Sequence, residues 1–148
     1  GTTASGSVSN GVVEGRGWVE VKQLVNGGTL RPGGAGRAGE LTICGSLTNR
    51  YVGADGTVAI ELGGRLPGQY DRLVVTNKLY AGGRLEVSLT DGFHPAGGDT
   101  FKILDFAAAP GRFVTISLPG EPAYWDMRSL YTTGEIRFKN PGTLIMVQ

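Results

Sequence analysis

The sequence predicts an all-β fold: a β-solenoid, β-helix-like, with a sandwich-like, aromatic-rich C-terminal part. A β-sandwich is the alternative. Three observations carry that expectation. Apolar and polar residues alternate in short runs, which puts the apolar ones on one face of a strand. A glycine opens most of these runs, and no window of a dozen residues between them follows a 3.6-residue period. Most runs offer an inward stripe of two or three side chains, too little to bury alone and suited to stacking on near-copies.

Taken in order, the chain opens on GTTASGSVSNG, small and polar. It lacks the basic start and apolar stretch of a signal peptide, so it reads as a cytoplasmic or, preferably, a processed start. GVVEGRGWVEVKQLV, Gly11 to Val25, is strand-forming, with Val12, Val13, Trp18, Val19, Val21, Leu24 and Val25 as anchors. Residues 1–25 are expected to form an extended arm and 26–148 a single all-β repeat domain. The arm has two placements: it docks as a donor strand on a neighbouring copy, building an open filament, or it folds back as a first coil or cap.

The glycine-led triplets follow: Gly28-Thr-Leu30, Gly39 to Ile43, Gly56 to Ile60, Gly83 to Val87, Gly134 to Phe138 and Gly142 to Met146. Further strands are expected at Trp18–Val21, Asp71–Val75, Thr100–Leu104 and Arg112–Ile116. Irregular spacing between the units leaves solenoid and sandwich both open, because sandwich strands recur every 8 to 12 residues or so.

NGGTLRPG, GELTICGSLT, GTVAIELGG, the long stretch from Pro67 to Phe106 and YWDMRSLYTTGEIRF together cover roughly residues 26–138. The most specific pieces are Gln69–Val75, Gly92–Pro95 with Asp99–Phe101, and Trp125-Asp126 followed by Leu130–Gly134. This succession resembles bacterial autotransporter-type passenger proteins and secreted surface proteins with autotransporter-associated β-strand repeats. The resemblance implies an extracellular β-helical stalk or surface protein of bacterial origin, without a catalytic centre.

Composition narrows the function. With 148 residues, 40% apolar and 18% charged, the chain is a folded single domain, and no apolar run approaches the roughly 18 residues of a membrane span. A net charge of +1, spread along the chain, gives no electrostatic footprint for nucleic acid or an anionic membrane. The single cysteine, Cys44, sits at an alternating strand position and reads as a small buried hydrophobe.

Residues with chemistry are sparse. His94 is the single histidine and lacks the partners a metal or a triad needs, so neither is expected. Glu61, Asp71, Glu86 and Asp91 are the carboxylates that a polysaccharide-cleaving enzyme would use, though most fall where solvated side chains are ordinary. RPGGAGRAGE lacks the Lys-Ser/Thr pair and following helix of a phosphate loop. GADGT and GGDT hint at calcium, with Asp55 and Asp99 as ligands, but without the register of calcium-binding repeats. Tyr70, Tyr80, Tyr124 and Trp125 could stack on sugar rings, although aromatics in an all-β chain more often fill the core. No cofactor is expected. The expected function is a non-catalytic extracellular structural or adhesive surface protein that self-assembles into a filament. The alternatives are a glycan-binding module and a polysaccharide-active enzyme.

Overall fold

Stripes of alternating apolar residues must be covered, and in the computed structural model, which describes residues 6–50 and 55–139, parallel pairing covers most of them. The strands are β1 (Gly6–Gly15), β2 (Gly17–Pro32), β3 (Glu40–Asn49), β4 (Thr57–Leu62), β5 (Arg72–Tyr80) and β6 (Arg84–Leu89). Then come β7 (Thr100–Lys102), β8 (Leu104–Ala108), β9 (Thr115–Ser117), a single 3-10 turn (Pro122–Tyr124), β10 (Trp125–Asp126) and β11 (Glu135–Phe138). The triplet Gly142 to Met146 and the first five residues of the arm lie outside the described residues.

Seven strands form a parallel sheet in the order β8-β5-β3-β2-β4-β6-β9, and β1 pairs with β2 beside this path. β2 is the hub. Its first half, Gly17 to Asn26, pairs with β3, while Thr29 and Leu30 pair with β4. The chain then visits the two wings alternately, adding β5 and β8 to one and β6 and β9 to the other. Register stacks like on like. Leu41, Leu73 and Leu104 form one apolar ladder; Leu30, Val58, Leu85 and Ile116 form another in the opposite wing. The core lies between the wings, where Leu30, Ile43, Ile60, Leu73 and Leu85 have no exposed surface.

Where β2 bends between its two halves, the stack holds a polar interior. Asn26 and Asn49 are buried and opposite one another in register. Asn26 Nδ2 donates to Asn49 Oδ1 at 2.9 Å and to the Thr57 carbonyl at 3.1 Å. Asn49 Nδ2 in turn donates to the carbonyls of Gly56 and Gly82, at 3.0 and 2.7 Å. The Gly82 carbonyl is thereby satisfied, as buried backbone requires, and the Gly56 carbonyl, which also accepts the Arg84 N–H at 2.8 Å, gains a second donor.

The C-terminal third changes style. β10, β11 and β7 form a small antiparallel sheet whose aromatic side chains close one end of the core. Phe101 is fully buried, with the rings of Tyr70, Phe93 and Trp125 around it at centroid distances of 5.3, 6.0 and 6.2 Å. Gly134 joins this sheet to the main one. Its φ of +77° suits glycine, a Cβ there would overlap the Leu104 carbonyl, and its own carbonyl accepts the N–H groups of Ile103 and Leu104 at 2.9 and 3.1 Å.

Two expectations are corrected. The chain is β throughout, with 56% strand and 2% helix, but the main sheet is a parallel half-barrel of seven strands and not a β-solenoid with a sandwich-like end. The physical reason is β2, sixteen residues long and shared by both wings, which makes them one continuous sheet instead of a pile of separate coils. The β-sandwich alternative also falls, because the main sheet is parallel and the antiparallel one has three strands.

Candidate functional site

The proposed anchors of the arm lie within the main sheet. Val12 and Val13 are on β1; Trp18, Val19, Val21, Leu24 and Val25 are on β2, paired to β3 of the same chain or flanking that pairing. Leu24 is buried, and Val13, Val19 and Val21 pack against the core. Val12 and Trp18 face outward, 54% and 70% exposed. β1 has β2 on one side and no strand on the other among the described residues.

The four aromatic candidates do not form one platform. Tyr70 and Trp125 are buried against Phe101, and Tyr124 stands edge-on to Phe138 with its ring half-covered. Tyr80 alone of the four is exposed, at the end of β5. Of the carboxylates, Glu86 and Asp91 point to solvent, whereas Asp71 is buried beside Glu61. Asp71 Oδ1 accepts the Gly39 N–H at 3.0 Å and Oδ2 accepts that of Glu61 at 2.9 Å, clipping the start of β3 to β4. Burial outweighs these two bonds and pushes its carboxyl up to about 7. Both oxygens are therefore committed to backbone. Asp99 is engaged by Arg65 at 3.2 Å, Asp55 and His94 are exposed, and Cys44 is half-buried on β3. Among the described residues no three His, Cys, Asp or Glu side chains gather in a metal-holding group, and no helix is long and apolar enough to cross a membrane.

Among the described residues two clefts stand out. One, of about 470 Å³, is lined by Arg16, Glu40, Tyr70 and Arg72 together with Ala38, Gly39, Pro67 and Gly68. Its cations are occupied: Arg16 donates to the Ala38 carbonyl at 3.0 Å, and Arg72 donates to the Lys102 carbonyl at 3.1 Å and faces Glu40 at 3.6 Å.

The second, of about 400 Å³, crosses the outer face of three neighbouring strands and is lined by Lys22 and Gln23 of β2, Ser46 and Thr48 of β3, and Asn77 and Tyr80 of β5. It forms where the ladder is interrupted. β2 and β3 shift register between Glu20 and Gln23, and the β3–β5 ladder is broken between the Ile43–Val75 and Leu47–Leu79 pairs. Hydroxyls replace the missing backbone bonds: Thr76 Oγ1 accepts the Gly45 N–H at 2.9 Å and Ser46 Oγ accepts that of Lys78 at 3.3 Å. Gln23 Nε2 donates to Thr48 Oγ1 at 2.9 Å, which leaves the Gln23 carbonyl oxygen and the Thr48 hydroxyl proton without a hydrogen-bond partner among the described residues. Among the described residues the side chains of Lys22, Asn77 and Tyr80 make no hydrogen bond.

Sequence reasoning named Tyr80 and missed its companions. SLTNR and VVTNK share a Thr-Asn-cation run, a signal of a repeated corner, yet register sets Thr48 opposite Tyr80 and not opposite Thr76. Comparison with known proteins finds no matching family model, no matching curated protein and no matching solved structure.

Proposed function

We propose that this chain is a non-catalytic structural module of an extracellular surface protein, and that it associates with further copies of itself through the outer edge of β1. The supporting observation is the asymmetry of the strand stack. One end is plugged by the aromatic side chains of the small antiparallel sheet, while the other ends in a ten-residue strand that, among the described residues, is paired on one side only. An open edge of this kind templates backbone pairing, and proteins that avoid such pairing guard their edges with lysine or proline. β1, GSVSNGVVEG, contains neither. Since Gly6 to Val25 pairs within its own chain, the proposed contact is addition of one edge to another rather than strand exchange.

Sedimentation velocity across a concentration series tests it. The wild type is expected to run as a pair or a larger species, and Val12→Lys as a monomer with an unchanged melting midpoint. A wild type that stays monomeric at every concentration would sink the reading.

A further inference from the structure

We propose that the outer-face groove across β2, β3 and β5 binds a 1,4-linked pyranose oligosaccharide, with the Tyr80 ring stacked on one sugar and Lys22, Gln23, Thr48 and Asn77 bonding its hydroxyls. Four features of the groove carry this assignment. Its volume, about 400 Å³, lies within the range of small-ligand pockets, roughly 300 to 1,000 Å³. Its polar groups are mixed: Lys22 offers donors, the Gln23 carbonyl an acceptor, the Thr48 hydroxyl a donor, and the Asn77 amide both. A sugar hydroxyl is itself donor and acceptor, so a mixed lining suits it, whereas a bare anion would call for donors alone.

Charge and shape add to this. Among the described residues one cation and no carboxylate line the groove, which admits neutral saccharides and those carrying a carboxylate, the latter opposite Lys22. A polyanion such as nucleic acid would need several cations. Tyr80 presents a ring that is partly exposed at one end of the groove, the amphipathic surface on which a pyranose face packs. The lining also runs from strand to strand: residues of β2, β3 and β5 succeed one another across the strand direction. Neighbouring strands are about 4.8 Å apart, close to the rise per unit of an extended 1,4-linked pyranose chain. A glycan lying across the strands would thus meet a new set of side chains at each unit. These groups hang on sheet backbone whose interrupted bonds are already made good by Thr76 and Ser46, so the groove is formed before a ligand arrives.

The experiment is an amide NMR titration of the full chain with cellohexaose, chitohexaose and hexagalacturonate, repeated on Val12→Lys so that self-association and glycan binding are read separately. At least one probe is expected to shift the amides of Gln23, Ser46, Asn77 and Tyr80 in a saturable way. Tyr80→Ala is expected to weaken that binding at least about tenfold, and Asn77→Ala to weaken it by a smaller factor. Both should melt like the wild type, since both side chains are exposed. Val114→Ser, an exposed change on the other wing, should leave binding unaltered. Failure of all three probes to bind overturns the proposal. So does binding that shifts the Arg16 and Arg72 cleft instead, or that survives Tyr80→Ala and Asn77→Ala undiminished.

Discussion

A carboxyl buried at a strand junction makes stability depend on pH, and Asp71 is such a group. Its folded-state value of about 7 stands above the ordinary 3.8, chiefly through burial, so folding favours the protonated form. The stabilisation is therefore complete below about pH 4 and is lost as the pH rises to about 7, at up to about 1.4 kcal/mol per pH unit and on the order of 4 kcal/mol in all. Melting midpoints are expected to fall across that window. Asp71→Asn, which retains one carbonyl acceptor and cannot titrate, should flatten the dependence. An unchanged pH profile in Asp71→Asn would assign the effect to other groups.

Among the elements, the asparagine pair at the bend of β2 is the least replaceable. Truncating Asn49 to alanine strands the Gly82 carbonyl and one donor of Asn26 in the interior, while the Gly56 carbonyl keeps the Arg84 N–H. A loss of about 2–4 kcal/mol is expected in denaturant unfolding; a loss below about 0.5 kcal/mol would mean that water satisfies the bend instead. These residues also mark the limit of what the sequence conveys. Leu41 with Ile43, Val58 with Ile60 and Leu85 with Val87 were legible as inward pairs because alternation encodes burial directly. Asn26 and Asn49 were not, since a polar residue before glycine, or before a cation as at Asn49-Arg50, reads as the exposed end of a strand. The groove was illegible for a related reason. Lys22, Gln23, Thr48 and Asn77 occupy polar positions like any solvated face, and register alone brings them together with Tyr80.

On the scale of the whole molecule, β2 decides whether there is a fold at all. It joins both wings, and Leu24 from its first half lies in the core. Truncation of residues 1–25 is therefore expected to yield an unfolded or aggregated product, seen as loss of a cooperative melt and of the strand signal in far-ultraviolet dichroism. A truncated chain that melts cooperatively would mean that the wings hold together without the first half of β2. The wing topology was beyond the reach of pattern reading, because two strands adjacent in sequence, such as β3 and β4, belong to opposite wings and never pair with each other.

The position of that hub strand along the chain has a kinetic corollary. Parallel partners here lie some thirty residues apart, as with Leu41 and Leu73, and such separations slow folding because each closure costs chain entropy before any contact forms. Yet β2 precedes both wings, so a chain emerging from its N-terminus presents the template first. Each later strand of the main sheet then meets an edge already synthesised, and β10 and β11 follow β9 to complete the aromatic plug that β7 begins. Along each wing, order of emergence matches order outward from β2, an arrangement that favours stepwise docking over the long search a parallel topology would otherwise impose.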